Sequence, residues 1–207
     1  MTQEETNNIP TSIDFDLGDF RNRLRQQIAD TILLEPNGSE GMKLLDICGD
    51  VISQSPHSNK DKGELFTVFR QANFQKRFPR KINTIPSQKG STRFQDISVF
   101  ADDRIEIISQ IGENSPPPGK YLVKDKFGSG AFAAEDEGQA EKYSDFLKST
   151  NGNITTQDGQ QYGAIIYFCD TIEGAVKVLK LIKYKNLNQN IYIGYYNINA
   201  KLEWLKR

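Results

Sequence analysis

Gly119-Lys120-Tyr121-Leu122-Val123-Lys124-Asp125-Lys126-Phe127-Gly128 is the stretch on which the fold turns. Tyr121, Leu122 and Val123 favour extended backbone, and the run is bracketed by Pro116-Pro117-Pro118-Gly119 before it and Gly128-Ser129-Gly130 after it. An apolar, β-favouring run between such turn formers reads as a strand, here over Lys120–Phe127. Two further β-favouring runs precede it, Phe94–Phe100 and Arg104–Ile111, joined through the turn tripeptide Ala101-Asp102-Asp103. The loop from Gly112 to Gly119 should then fold Arg104–Ile111 back against Lys120–Phe127 as an antiparallel hairpin.

Toward the C-terminus the alternation of elements continues. Glu135–Leu147 carries Ala140, Tyr143 and Leu147 on one helical face, and Lys148–Gln160 is a polar loop. Tyr162–Cys169 is almost uninterruptedly apolar, as expected of a strand covered on both faces. Thr171–Lys183 sets Val176, Leu179 and Ile182 against Lys177, Lys180 and Lys183, which is an amphipathic helix. Asn190–Tyr196 is the last expected strand, and Ala200–Arg207 a short tail. Strand, helix, strand in this order implies a parallel pair with a crossover.

Toward the N-terminus the periodicity becomes helical. Apolar stripes predict helices over Asp14–Leu34, Glu40–Ser53 and Gly63–Phe74, with a polar loop, Gln54–Lys62, holding His57 as a surface histidine. The expected organisation is a disordered N-terminus (1–13), a helical region with a basic segment (14–92) and an α/β core (93–207). The fold class is α/β, a mixed β-sheet flanked by helices.

At 207 residues, 37% hydrophobic and 26% charged, the chain can bury a core without disulfides or metal staples. Cys48 and Cys169 are isolated, no CxxC pair offers zinc or redox chemistry, and a buried structural thiol is expected at Cys169. No run approaches the roughly 18 apolar residues of a membrane span, and residues 1–8 lack the basic and apolar regions of a Sec signal peptide. A cytoplasmic location with no membrane partner is the expectation.

The net charge is only −1, yet its distribution is uneven. No acidic residue occurs from Leu65 to Gln95, whereas Arg70, Lys76, Arg77, Arg80, Lys81, Lys89 and Arg93 all fall there, interleaved with phenylalanines. Local basic surface matters more than net charge for a phosphate backbone. Arg70, Lys76, Arg77, Arg80 and Lys81 are therefore the candidate nucleic-acid-binding residues.

Taken together, Asp103–Gln110, Gly119–Gly128 and Gln139-Ala140-Glu141-Lys142-Tyr143 resemble the PD-(D/E)XK (restriction-endonuclease-like) nucleases, over about Phe94 to Tyr196. The resemblance is to the RecB-like branch and to the nuclease tips of bacterial polymorphic toxins. In these nucleases an acid on one strand is followed by a strand bearing acid-x-Lys and a helix bearing Gln-x-x-x-Tyr. The resemblance implies a restriction-endonuclease-like core, Mg²⁺ as cofactor and cleavage of DNA, as a toxin or defence effector would perform. Two carboxylates would hold the ion, and a lysine two residues beyond one of them would orient or deprotonate the water.

Carried over, Glu106 takes the place of the first acid, with Asp96 and Asp103 as rivals. Lys126 takes the place of the catalytic lysine, and Gln139 and Tyr143 that of the helix motif. Glu64 stands as a candidate extra acid. One position departs from the pattern: Lys124 stands where the acid-x-Lys acid belongs. Asp125 is acidic, but period-two alternation sends it to the opposite face unless the strand is bulged. The candidate catalytic set is thus Glu106, Asp125, Lys126, Gln139 and Tyr143, with Glu106 and Asp125 as metal ligands. The alternative is a catalytically inactive protein of the same fold, without Mg²⁺, that binds nucleic acid or a protein partner as an immunity or adaptor protein would.

Overall fold

The structure is a computed structural model. It describes residues 58–86, 101–128, 154–156, 158–184 and 190–206, with helical residues at 22–23, 26–27, 30–31, 43, 46, 141–142, 145 and 148. The first continuous element is helix α1 (Ser58–Arg77). Leu65, Phe66, Phe69, Ala72 and Phe74 recur at helical spacing and bury against the sheet. Each large apolar side chain buried in this way contributes about 1.5–3 kcal/mol. The helix ends ahead of Pro79, where the Phe78 amide still reaches the Phe74 carbonyl at 2.8 Å.

Among the described residues eight strands follow: β1 (Ile82–Thr84), β2 (Asp103–Ile107), β3 (Gly119–Lys126), β4 (Ile154–Thr155), β5 (Gln161–Tyr162), β6 (Ala164–Cys169), β7 (Ile191–Tyr196) and β8 (Leu202–Trp204). Helix α2 (Ile172–Tyr184) joins β6 to β7. Six strands form one sheet in the order β1-β2-β3-β6-β7-β8, and β4-β5 form a separate two-stranded ribbon. The β2–β3 pairing is antiparallel, as expected from the proline loop, with Glu106 opposite Lys120 and Asp103 opposite Val123. β3–β6 and β6–β7 are parallel. The chain is therefore α/β, with a mixed sheet between helices.

Alternation along β6 sorts the core into two layers. Ala164, Ile166 and Phe168 face α1, whereas Ile165, Tyr167 and Cys169 face α2 with Ala175, Val178 and Ile182. Aromatic rings close the α1 layer, Phe69 against Tyr196 at 5.0 Å and Phe74 against Phe168 at 5.2 Å between ring centroids. Glycine at 194 on β7 lets the strand lie close to Phe168, since a Cβ there would stand 3.0 Å from its ring.

Several elements differ from the sequence reading. Residues 58–84, assigned there to the helical region, supply a helix and an edge strand to the sheet's own core. The expected tail contains β8, which pairs with β7 through Tyr196–Leu202 and Gly194–Trp204. The expected polar loop contains β4, and Gly163 separates β5 from β6. The strand expected over Phe94–Phe100 lies outside the described residues. So do Cys48, His57, Lys89, Arg93, Asp96, Gln139 and Tyr143.

Candidate functional site

Strand β3 is regular. Residues 121–126 pair without interruption with 164–169, so no bulge turns Asp125 round. Tyr121 and Val123 pack under α1, and Asp125 leaves the same face. Leu122 packs toward α2, and Lys124 and Lys126 alternate with it on that side.

On the α1 face Asp125 meets Arg70. The guanidinium donates from Nε to Oδ1 at 2.7 Å and from the second terminal nitrogen to Oδ2 at 2.9 Å. That nitrogen also donates to Asp103 Oδ2 at 3.0 Å, while Thr67 Oγ1 donates to Asp125 Oδ2 at 2.7 Å. Gln71 Nε2 adds a 3.0 Å bond to Asp103. Arg70 is 0% exposed. Burial works against its charge, the Asp125 and Asp103 carboxylates outweigh that penalty, and the guanidinium is held protonated. This is a buried, hydrogen-bonded ion triad that fastens α1 to β2 and β3.

The triad corrects two expectations. Arg70 is not on the surface and cannot reach a phosphate backbone. Asp125 and Glu106 do not form a metal pair: both Asp125 oxygens accept from α1, and Glu106, opposite Lys120, points to the other face. Six residues of strand also separate Lys120 from Lys126, about 20 Å at the usual rise. Asp103, the rival first acid, is bound to Arg70 and Gln71. Glu64 is half-buried on α1.

The carboxylate that does lie beside the motif is Asp102, which sequence reasoning passed over as a turn residue. Its Oδ2 accepts the Asp125 amide at 2.8 Å, and Lys124 Nζ donates to Oδ1 at 3.2 Å. An ammonium thus stands at the acid position of the pattern, paired with the carboxylate next to it. Among the described residues no group of three or more His, Cys, Asp or Glu is gathered to hold a metal ion. The donor set here does not fit Mg²⁺. Cys169, in register with Lys126, is a buried thiol whose pKa burial pushes well up, as expected of an inert structural cysteine.

The rest of the basic segment does reach the surface. Lys76 and Arg77 occupy the last turn of α1, where cations complement the helix dipole, and both are half-buried. Arg80 and Lys81 are exposed on the turn that follows, Lys81 reaching the Gln110 carbonyl at 3.3 Å. Arg77 lines a cleft of about 650 Å³ together with Lys201, Tyr195, Trp204 and the two carboxylates Glu113 and Glu203. Guanidinium, ammonium and aromatic groups in one groove are the elements that bind phosphate and stack bases.

Among the described residues no helix is long and apolar enough to cross a membrane. No protein-family model matches the chain, and neither a curated protein nor a solved structure matches it.

Proposed function

We propose that this chain has a restriction-endonuclease-like, PD-(D/E)XK fold and binds nucleic acid without cutting it. The observation that carries the reading is Lys124: its ammonium lies 3.2 Å from the Asp102 carboxylate, at the place where that fold carries an acid and a divalent ion. At a separation of ~4 Å and an effective dielectric of ~20, repulsion between an ammonium and a divalent cation runs to several kcal/mol. The acid two positions before Lys126 is gone, and the acid beside it is locked to Arg70 on the opposite face. Antiparallel β1-β2-β3 followed by parallel β6 suits the proposed fold.

Binding rests on the basic end of α1. Lys76, Arg77, Arg80 and Lys81 cluster there, and Lys201 lines the same cleft as Arg77. Each phosphate neutralised adds roughly 0.9 to the slope of log affinity against log salt on duplex DNA.

Retention of a duplex oligonucleotide over a salt series tests the proposal, together with plasmid nicking in Mg²⁺ or Mn²⁺. Binding should fall steeply with salt, and the Lys76→Ala, Arg80→Ala, Lys81→Ala triple variant should show a flatter slope. No nicking is expected of the wild type. Metal-dependent nicking would restore the active-nuclease reading, and absence of retention at low salt would favour a protein partner in place of nucleic acid.

A further inference from the structure

A second cavity lies at the carboxyl ends of the parallel strands β6 and β7, beside the start of α2. It has a volume of about 520 Å³, and among the described residues it is lined by four carboxylates, Asp46, Asp170, Glu173 and Glu203, and one ammonium, Lys43. The carboxyl edge of parallel strands is where open α/β sheets hold their ligands.

Asp170 is the group at its floor. It is 7% exposed, and its Oδ2 accepts the Gly128 amide at 2.9 Å. Its Oδ1 is buried and has no hydrogen-bond partner among the described residues. A buried oxygen of this kind costs free energy unless a donor satisfies it. The second carboxylate is oriented: Glu203 accepts from the Tyr195 hydroxyl at 2.7 Å and from Asn197 Nδ2 at 2.6 Å. Those bonds and Lys201 hold Glu203 below the usual carboxylate range, so it is charged.

The rim is apolar. Ile172 is 45% exposed and Ile198, 93% exposed, stands at the tip of the β7–β8 turn. That turn is not loose: Asn197 Oδ1 accepts the amides of Asn199 and Lys201 at 2.9 and 3.1 Å, and the Asn197 amide reaches the Lys201 carbonyl at 3.0 Å. A tied turn that presents an isoleucine to solvent is a surface that a second macromolecule can cover.

An anionic floor, aromatic walls from Tyr195 and Tyr196, and an isoleucine rim match one chemistry. We propose that this cavity receives an arginine side chain of a protein partner, its guanidinium on Asp170 and Glu203 and the flanking apolar residues of that partner on Ile172 and Ile198. The planar guanidinium fork can serve two carboxylates at once, and its stem lies comfortably on apolar surface. The site shares Tyr195 and Glu203 with the cleft lined by Arg77 and Lys201, but Asp170, Glu173 and Asp46 belong to it alone, and these carboxylates repel a phosphate backbone.

The test is calorimetric titration of the full chain with the blocked tripeptide Leu-Arg-Leu, its citrulline counterpart and spermidine. The arginine peptide should bind, with the neutral citrulline peptide weaker by about tenfold or more, as expected for loss of charge-assisted bonds. Asp170→Asn, which keeps the acceptor for the Gly128 amide, should weaken the arginine peptide by a similar factor. Surface variant Ile198→Ser should weaken it severalfold with unchanged circular dichroism. Arg80→Ala with Lys81→Ala should leave peptide binding intact while lowering DNA retention, which separates this proposal from the nucleic-acid reading. Equal binding of the citrulline peptide, no effect of either site variant, or no binding would overturn the proposal. Spermidine binding as tight as the peptide, insensitive to Ile198→Ser, would overturn it in favour of a free amine.

Discussion

Replacing Arg70 with methionine keeps most of the side-chain volume and removes the charge that two aspartates depend on. In the folded protein Arg70 and Asp125 side chains are 0% and 1% exposed, and three bonds of 2.7–3.0 Å join the guanidinium to Asp125 and Asp103. The variant leaves Asp125 buried as a carboxylate with, among the described residues, only Thr67 donating from a side chain. Breaking one partner out of such a buried pair costs about 3–5 kcal/mol, a large share of the ~5–15 kcal/mol by which domains are stable. Adding Asp125→Asn removes the stranded charge, so the double variant should be more stable than Arg70→Met alone. The deficit of Arg70→Met should also narrow in acid, where protonation neutralises the stranded carboxyl. Urea unfolding followed by circular dichroism measures all three chains. A loss below about 1 kcal/mol for Arg70→Met, or further destabilisation on adding Asp125→Asn, would refute the reasoning that the triad fastens α1 to the sheet.

Lys124→Glu should place a second carboxylate beside Asp102, two residues before Lys126, and calorimetry should then detect Mn²⁺ or Mg²⁺ binding stronger than in the wild type; unchanged metal binding would remove Asp102 as the metal-side acid. Burial raises the Asp170 carboxyl to about 6 from its ordinary 3.8, against the opposing Gly128 amide. The folded chain therefore keeps a proton that the unfolded chain releases, so this group's contribution to stability rises as pH falls through 6 toward 4 and is flat above that window. Asp170→Asn should gain on the wild type by up to about 3 kcal/mol at pH 7 and lose that advantage toward pH 4; a pH-independent difference in melting between the two would contradict this. Gly194→Ala should lower the melting temperature, because its Cβ would meet Phe168 at 3.0 Å and Leu202 at 3.2 Å. Overpacking of this kind costs about 1–3 kcal/mol, and unchanged melting would show that Phe168 yields.

The parts of the fold that were legible in the chain are those with long periodic runs. Ala164–Cys169 and Ile172–Tyr184 declare a buried strand and an amphipathic helix through six and thirteen residues respectively. β1 and β8 are three residues each, too short for alternation to show, and β1 sits inside a proline-containing basic segment. The site was misread where its partners are far apart in sequence. Arg70 and Asp125 are 55 positions apart, and nothing local to Asp125 announces the arginine. A signal was present on the helix: Arg70 lies one turn from Phe66 and adjacent to Phe69, inside the apolar stripe. A charge at a core position demands an opposite charge across the interface, and that argument would have placed an acid beneath it. Asp170 carried a similar signal, as the first polar residue after a strand buried on both faces.

The position of β8 bears on how the chain comes into being. Leu202 and Trp204 belong to the same core layer as Leu65, Phe66 and Phe69, so α1 and β8 share one core. A ribosome emits α1 well before it emits its cover. At ordinary translation rates of ~5–20 residues per second the delay is on the order of ten seconds. During that interval the phenylalanine face of α1 lacks Phe168 and Tyr196, whose rings pack on Phe74, Phe66 and Phe69, and Trp204, which packs on Phe168, so that face is exposed until the sheet is complete.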